Sequence, residues 1–473
     1  MSDGSESFER FGADQRQGGW TANDTIVVQP SGLKRTISGT AVGNMVEWFD
    51  FGVYGFIAAT LGQVFFPNSS PSVQLLSTFA TFAAAFVVRP LGGLFFGPLG
   101  DRIGRQRVLA TTMILMALAT FSIGLLPSYA TIGIWAPILL VVARVGQGFS
   151  TGGEYGGAMT FLSEHTPDRR RGFLCSWLEF GTLTGYVLGA SIVTALTAGL
   201  SGDALLSWGW RIPFLVAGPL GLVGLYVRLK LEETPAYKKQ AEANSTENSA
   251  TLGEQFRHTV IEQWRPLLVC VGLVLVWNVT NYMLTAYLPT YLSSTLSVPE
   301  VPALVVVLMV MVVLMVLITF VGRISDRVGR KPVLATGCVL LVVLSVPAFL
   351  LVDQGNYIMI FVGTLLIGLM LVCFSSTEPS TLPALFPTNV RYGALSIGFN
   401  ISVSLFGGTT PFIAQALVAS TGNNLMPAYY LMIAGLLGGV AVLFTPESAR
   451  KPLAGSPPSV SSEAERHEVA AVS

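Results

Sequence analysis

The fold is decided by a charged stretch that occurs twice: Gly97-Pro-Leu-Gly-Asp101-Arg102-Ile-Gly104-Arg105-Gln-Arg107-Val-Leu109 returns as Gly322-Arg-Ile-Ser-Asp326-Arg327-Val-Gly329-Arg330-Lys-Pro-Val-Leu334. Seven of the thirteen positions are identical, and the two copies start 225 residues apart. Each copy is a short charged turn between two long apolar stretches. A charged turn repeated half a chain apart predicts two related helical bundles in tandem.

Composition places the chain in a membrane. Of its 473 residues, 51% are hydrophobic and only 11% are charged, and the mean hydropathy is +0.61. The formal net charge is zero, so no strong field attracts nucleic acid. The four cysteines are isolated in separate apolar segments, which argues against a metal or disulfide site. We therefore predict an all-α membrane protein, surrounded by lipid, that needs no metal or other cofactor and no obligate protein partner.

A helix needs about 20 mainly apolar residues to cross the hydrocarbon core of a bilayer. The chain holds twelve such stretches, six on each side of a polar segment at 231–264. They cover residues 38–65, 74–98, 108–127, 133–161, 173–198, 209–229, 266–292, 300–322, 332–352, 356–380, 394–419 and 426–446. This pattern predicts twelve transmembrane helices in two six-helix pseudo-symmetric bundles, 37–230 and 265–447, joined by a linker at 231–264.

The basic residues orient the two bundles. All Lys and Arg residues except Arg89, Arg144 and Arg211 fall in the termini or in alternate loops. Cytoplasmic loops carry the excess of Lys and Arg, so we predict that both termini, the linker and both charged turns are cytoplasmic, in a multi-pass protein of the cell inner (plasma) membrane. Residues 1–36 and 448–473 are polar and poor in large apolar side chains, which predicts a disordered arm and a disordered tail.

Five further stretches resemble the metabolite:proton symporter family of the major facilitator superfamily. They are Gly43-Asn-Met-Val-Glu-Trp-Phe-Asp-Phe-Gly-Val-Tyr-Gly-Phe56, Arg89-Pro-Leu-Gly-Gly-Leu-Phe-Phe-Gly97, Gln147-Gly-Phe-Ser-Thr-Gly-Gly-Glu-Tyr-Gly157, Trp208-Gly-Trp-Arg-Ile-Pro-Phe214 and Glu232-Glu-Thr-Pro-Ala-Tyr237. The resemblance implies the major facilitator fold and alternating access between the bundles. It also implies an osmoregulatory, proton-coupled symporter for a small zwitterionic solute such as proline or glycine betaine. Similar signatures occur in carriers of 2-oxoglutarate, citrate or shikimate, so a proton symporter for an organic acid is the alternative.

Ionisable side chains at membrane depth are costly and mark functional sites. Glu47, Asp50 and Tyr54 share one face of the first span because they are three and four residues apart. Deep acids outnumber deep arginines, so one carboxylate is expected to lack a full partner and to carry the coupled proton; we predict Asp50 first, and Glu154 or Glu47 second. The alternative is that these acids only pair with arginines and hold helices together. Arg144 opens a stretch similar to the superfamily's fourth-span motif, whose arginine is associated with proton coupling.

A zwitterionic solute needs a cation for its carboxylate and aromatic faces for its ammonium group. Arg89 or Arg144 is predicted to supply the cation. The remaining predicted binding residues are aromatic or amide side chains on the first, fourth and seventh spans: Trp48, Tyr54, Tyr155, Trp277, Asn278, Asn281 and Tyr282.

The charged turns lie too close to the cytoplasmic surface to select a solute. Asp101 and Asp326 hold the same position in the two copies, and we predict that each accepts hydrogen bonds from arginines or from a helix N-terminus of the other bundle. Such contacts would hold a cytoplasmic gate closed, with contributions from Arg102, Arg105, Arg327 and Arg330. The sequence contains no nucleophile–base pair, metal-ligand set or phosphate-binding motif, so an enzyme is not expected.

Overall fold

A computed structural model of the chain describes residues 25–103, 105–229, 257–388 and 390–472. Its helices occupy all six predicted spans of the first bundle. Spans one to six are Pro30–Phe56 with Ala58–Phe65, Pro71–Val87 with Arg89–Ile103, Arg105–Leu125, Trp135–Ser150 with Glu154–Glu164, Arg171–Gly199, and Ile212–Leu229. Short helices at Tyr129–Ile132 and Gly202–Ser207, and 3₁₀ turns at Asp168–Arg170 and Gly209–Arg211, connect them.

The second bundle also follows the predicted spans. Span seven is Trp264–Tyr282, prolonged through Met283–Tyr287, Leu288–Thr290 and Tyr291–Thr295; spans eight and nine are Glu300–Val328 and Arg330–Val352. Span ten is Tyr357–Ser375 with Glu378–Thr381, span eleven is Arg391–Ser402, Val403–Gly407 and Thr410–Thr421, and span twelve is Met426–Leu443. Met283–Tyr287, Tyr291–Thr295 and Val403–Gly407 are π-helical turns, as is Arg257–Ile261 before span seven. A 3₁₀ turn at Pro383–Leu385 and a final helix at Glu463–Val472 complete the order.

Within the described residues, eight of these helices are long and apolar enough on their own to cross a membrane. The others are the first, third, fourth and sixth spans, of which the first and fourth are interrupted. Span four, for example, is interrupted between Ser150 and Glu154, where Gly152 and Gly153 lie. Membrane helices tolerate such breaks when neighbouring helices satisfy the freed backbone groups.

The bundles meet along span five, which packs against span one of its own bundle and span eight of the other. The charged turn at 322–334 joins spans eight and nine, and Gly329 makes that turn with a φ of 112°. This backbone conformation is strained for any residue with a side chain, which explains the glycine in the repeat. The end of the molecule that carries this turn is called the turn face below.

The arm and the tail differ from their predicted disorder. Ile26–Val27 (β1) and Ser459–Val460 (β2) form a parallel two-stranded ladder on the turn face. The arm, predicted as disordered at 1–36, is described from residue 25 onward as β1 and the start of span one, and residues 1–24 lie outside the described part of the chain. The tail, predicted as disordered at 448–473, is described as far as residue 472 and contains β2 and the final helix. Most of the linker predicted at 231–264 lies outside the described residues, and its described end includes the π turn before span seven.

The composition of the tail does not indicate its contacts, because few of its own side chains are apolar. The tail is instead held by its backbone carbonyls and amides. Arg391 Nη2 donates to the carbonyl oxygen of Ala454 at 2.6 Å, and the Ser459 backbone N–H donates to Asp168 at 3.0 Å. Long-range hydrogen bonds of this kind leave no local signal in the tail sequence.

Candidate functional site

Span one places its two acids in different surroundings. Glu47 is 1% exposed and forms an ion pair with Arg89, which is fully buried, at 3.3 Å between Oε1 and Nη2. Glu47 therefore fits the alternative interpretation from the sequence, in which a buried acid pairs with an arginine and holds helices together. Asp50, one turn later, lies among different partners.

Asp50 is the end of a hydrogen-bonded chain through three spans. Its Oδ2 accepts a hydrogen bond from Thr120 Oγ1 at 2.9 Å, and Thr120 Oγ1 accepts one from Gln147 Nε2 at 2.9 Å. The Arg144 guanidinium donates in turn to Gln147 Oε1. Among the described residues, Asp50 Oδ1 has no hydrogen-bond partner. The chain thus connects the predicted proton carrier to Arg144 without a direct ion pair between them.

Arg144 and Tyr54 form a unit of their own. The guanidinium carbon lies 4.3 Å from the centroid of the Tyr54 ring and 5.1 Å from that of Phe82, and Tyr54 donates its hydroxyl hydrogen to the Thr78 carbonyl oxygen at 3.1 Å. Tyr54 therefore supports Arg144 rather than facing the other predicted aromatic residues. Glu154, the second choice for proton coupling, accepts a hydrogen bond from Thr112 at 2.7 Å.

Five aromatic side chains meet where the two bundles touch. The ring centroid of Trp48 lies 5.5 Å from Tyr155, 5.7 Å from Tyr186, 5.6 Å from Trp277 and 6.3 Å from Tyr282. These five residues are called the aromatic cage below. All are at most 3% exposed, and the first three belong to one bundle while the last two belong to the other. The sequence predicted four of the five.

Tyr186 is the member of the cage that the sequence analysis missed. Its hydroxyl oxygen accepts a hydrogen bond from the predicted Asn281 at 3.2 Å. The available signal was its position in span five beside Gly185, whose lack of a side chain allows close contact with the backbone of span one. A single tyrosine in an apolar span gives no direct indication of a binding site.

Several buried polar atoms at the cage have no hydrogen-bond partner among the described residues. They are both amide atoms of Asn278, the hydroxyl groups of Tyr155 and Tyr282, and Nε and Nη1 of Arg89. A buried donor or acceptor without a partner costs about 1–3 kcal/mol, so a site that keeps several of them is suited to a polar ligand. Arg89 lies beside the cage, with its guanidinium carbon 5.6 Å from the ring centroid of Phe86, which is 5.2 Å from that of Tyr282.

On the turn face, Asp326 binds the N-terminus of span five in the other bundle. Its carboxylate accepts hydrogen bonds from the backbone N–H groups of Gly172 at 2.7 Å and Phe173 at 2.9 Å. This is the type of contact predicted for the repeated acid. The side chains of residues 97–107, among them Asp101, Arg102 and Arg105, lie outside the described part of the chain.

The two arginines of the second charged turn have different positions. Arg330 is buried and donates to Ser380 O of its own bundle and to Ser448 Oγ at the start of the tail, both at 2.8 Å, so neither bond joins the two bundles. Arg327 is exposed. A contact between bundles comes from a residue that the sequence analysis did not assign to the gate: Arg391 pairs with Glu164 at 2.6 Å.

The comparisons with known proteins identify the family. Residues 37–457 match the sugar (and other) transporter family. The chain belongs to this family. It is therefore a multi-pass membrane transporter and not an enzyme, as predicted. Within the described residues, no group of three or more His, Cys, Asp or Glu side chains is arranged to hold a metal ion.

Curated relatives match nearly the whole chain. The glycine betaine/proline/ectoine/pipecolic acid transporter of Dickeya dadantii (strain 3937) is 48% identical over 451 residues, covering 94% of this chain and 90% of that protein. The proline/betaine transporter of Escherichia coli (strain K12) is 46% identical over 453 residues, covering 95% and 90%. The ectoine/proline transporter of Corynebacterium glutamicum is 44% identical, covering 95% and 91%.

Solved structures confirm the predicted fold. The major facilitator proton:xylose symporter bound to 6-bromo-6-deoxy-D-glucose matches with a TM-score of 0.70 at 18% sequence identity, covering 90% of this chain and 98% of that one. A partially occluded, inward open conformation of the Escherichia coli xylose transporter matches with a TM-score of 0.68, also at 18% identity, covering 88% and 98%. The chain therefore has the twelve-helix major facilitator fold.

Proposed function

We propose that this protein is a proton-coupled symporter that imports a small zwitterionic compatible solute, such as proline or glycine betaine, by alternating access. The observation that carries the proposal is the aromatic cage with Arg89 beside it. Aromatic faces attract ammonium groups, and Arg89 has unpartnered N–H donors for a carboxylate among the described residues. The relatives at 44–48% identity are named as transporters of proline, betaine and ectoine, which supports the same class of solute.

The site suits a zwitterion better than a dicarboxylate. The Arg89 guanidinium already pairs with Glu47, so the buried charges there leave little excess positive charge for a second carboxylate. The rings of Trp48, Trp277 and Tyr155 lie 5.5–5.9 Å apart, centroid to centroid, and offer electron-rich faces rather than cations. An organic acid with two or three carboxylates would meet these faces without the cations that it needs.

Asp50 is the proposed carrier of the coupled proton. It is 1% exposed, and its one hydrogen-bonded oxygen is held by a hydroxyl group rather than by a cation. Burial of an ionised carboxylate without a counter-ion is unfavourable, so protonation and deprotonation of Asp50 would change the relative stability of the conformations. The proton gradient is then the energy source, and no cofactor is required.

We place the protein in the cell inner membrane with both termini on the cytoplasmic side. The basic loops support this orientation through the excess of Lys and Arg in cytoplasmic loops. On this basis the turn face is cytoplasmic, and the contacts of Asp326 and Arg391 hold that side closed. The gate function of these contacts, and of the first charged turn, belongs to the proposal.

The test is uptake into proteoliposomes that contain the purified full-length protein, with an imposed inward proton gradient. Labelled proline and glycine betaine are compared with labelled 2-oxoglutarate and citrate, and external pH is recorded at the same time. We expect proline or betaine to accumulate with alkalinisation of the external medium. If only the organic acids accumulate, the protein transports organic acids and the proposed zwitterionic solute is wrong. If uptake occurs without proton movement, the proposed proton coupling is wrong.

A further inference from the structure

Two buried carboxyl groups lie between the bundles, apart from Asp50. Glu179 of span five is 2% exposed and Glu378 of span ten is 3% exposed. The two residues come from different bundles, and span five packs directly against the Glu378–Thr381 segment of span ten. Glu179 is near the turn-face end of span five, and Glu378 follows the break in span ten that precedes its last turn.

Hydrogen bonds run from the aromatic cage toward Glu179. Trp48 Nε1 donates to Asn44 Oδ1 at 3.0 Å, and Asn44 Nδ2 donates to Thr182 Oγ1 at 2.6 Å. Thr182 follows Glu179 by three residues in span five, so the two side chains lie on the same face of the helix. One tryptophan of the cage is thus connected through Asn44 to the neighbour of this carboxyl group.

The second bundle repeats the arrangement with fewer steps. Trp277 Nε1 donates to Ser375 Oγ at 2.9 Å, and Ser375 is one helical turn before Glu378 in the sequence. The indole rings of Trp48 and Trp277 are in edge-to-face contact at 5.6 Å. The hydrogen bonds of the two tryptophans therefore end three residues from Glu179 and from Glu378, on the turn-face side of the cage.

No cation balances the pair among the described residues. Glu378 Oε1 has no hydrogen-bond partner there. Neither Glu179 nor Glu378 forms an ion pair with a described residue, and the neighbouring titratable side chains Tyr186, Cys270 and Cys338 carry no positive charge. Two buried carboxylates without a counter-ion repel each other and are poorly solvated, so at least one of them must hold a proton while the bundles are in contact.

We propose that Glu179 and Glu378 form a second proton-binding site, which holds a proton between the bundles in the cytoplasm-closed conformation and releases it on opening. In the closed form, one proton is held by the pair, so that a carboxylic acid on one residue faces the carboxylate on the other. When the bundles separate on the turn face, water reaches both groups, the shared proton passes to the cytoplasm, and two solvated carboxylates remain. The inference rests on the proposed proton coupling and adds a site that responds to cytoplasmic pH.

The native thiol of Cys175 reports on opening. It is fully buried and lies within reach of the charges of Asp326 and Arg330 from the other bundle. We would expose inside-out vesicles containing the full-length protein to a maleimide at pH values from about 5.5 to about 8.5 and quantify the Cys175 peptide by mass spectrometry. Because thiol reactivity itself rises with pH, each value is divided by that of detergent-unfolded protein at the same pH.

In the wild-type protein, normalised labelling of Cys175 should rise several-fold as pH increases, because loss of the proton makes the two carboxylates repel each other. The Glu179→Gln and Glu378→Gln variants should stay weakly labelled at every pH, because a neutral amide cannot develop that charge. Glu378→Asp keeps a titratable group and should restore the rise. Glu300→Gln, a matched control at the far end of span eight, should behave like the wild type.

Labelling that is independent of pH in the wild type, or that rises equally in the glutamine variants, would overturn the second site. This readout requires no transported solute, so it is separate from the uptake test of the proposed function. If solute uptake by the wild-type protein is not accompanied by proton movement, the proposed proton coupling is wrong. That conclusion does not depend on the labelling of Cys175. If a glutamine variant does not fold, Glu378→Asp takes its place in the test. Labelling of Glu378→Asp that does not rise with pH would then contradict the proposal.

Discussion

Arg171 and Arg391 make equivalent contacts in the two halves of the protein. The Nε group of each donates at 3.0 Å to the carbonyl oxygen eight residues earlier, that of Ser163 or Pro383. Each then reaches the tail: Arg171 Nη1 donates to the Lys451 carbonyl oxygen at 3.0 Å, and Arg391 Nη2 donates to that of Ala454 at 2.6 Å. One segment of tail is therefore held by a related arginine from each bundle.

Loss of Arg391 should release the tail. In Arg391→Gln, Glu164 loses its partner and Ala454 loses a charged donor, at a cost on the order of 3 kcal/mol for the closed turn face. Hydrogen exchange at the backbone amide of Val28, which donates to the Val460 carbonyl oxygen at 3.0 Å, should then become faster. Arg327→Gln removes an exposed arginine and serves as the control. Unchanged exchange at Val28 would show that the tail is held by other contacts.

Asp50→Asn should abolish accumulation driven by a proton gradient. The amide cannot carry the proton, but it preserves the size of the side chain beside Thr120, so the bundles should still exchange solute across the membrane. Counterflow of labelled solute without a gradient is expected to remain, while active uptake falls to the level of empty vesicles. Asp353→Asn, in an exposed loop, is the matched control. Full active uptake by Asp50→Asn would assign the coupled proton to another residue.

The cage makes a prediction about affinity. Trp277→Leu removes an aromatic face, and the loss of a desolvated cation–π contact of about 2 kcal/mol should raise the KM for betaine by about 30-fold. Trp135→Leu changes a tryptophan that is 62% exposed on the outer surface and should leave KM unchanged. Initial uptake rates over a range of betaine concentrations separate the two. Equal effects of both substitutions would mean that the cage does not contact the solute.

The Glu47–Arg89 pair can be tested with one single variant and one double variant. Glu47→Gln leaves the fully buried Arg89 charge without its partner and should destabilise the protein by about 3–5 kcal/mol. Glu47→Gln combined with Arg89→Gln should recover part of that stability, because no isolated charge remains, yet it should not bind the solute. Thermal unfolding in detergent measures the first effect and solute-dependent stabilisation measures the second. Solute binding by the double variant would exclude Arg89 as the carboxylate partner.

Glu447 gives the turn face a defined response to acid. Burial alone would raise the pKa of its carboxyl group, but hydrogen bonds from the backbone N–H groups of Arg330, Ala449 and Lys331 lower it below its ordinary value. The stabilisation is therefore complete above the unfolded-state pKa of about 4.3, and it is lost as pH falls through the lower folded-state pKa. Hydrogen exchange at these three amides should accelerate below about pH 4 in the wild type. In Glu447→Gln, exchange at the same three amides should be fast at neutral pH and should show no further acceleration below about pH 4.

The sequence predicts the positions of the spans, because each crossing of the membrane requires its own apolar stretch. It also predicts which types of residue form the site, because charged and aromatic side chains at membrane depth are few. The partners of those residues could not be derived. Whether Glu47 or Asp50 pairs with Arg89 depends on how spans one and two are rotated about their axes, and Tyr54 faces Arg144 for the same reason. In the sequence, Arg171 and Arg391 each follow a proline by four residues, in Pro167-Asp-Arg-Arg-Arg171 and Pro387-Thr-Asn-Val-Arg391. Their binding of the tail, however, depends on residues about 60 and 280 positions away.

The pairing of β1 with β2 has a consequence for the biosynthesis of the transporter. Ile26 leaves the ribosome early, and its strand partner Ser459 is added only after span twelve has been made. Until then Asp168 lacks the backbone amide that it binds and Arg171 lacks the Lys451 carbonyl oxygen. A nascent chain must therefore wait in the bilayer with its turn face uncovered, and covering that surface is a late step of assembly that follows insertion of the helices.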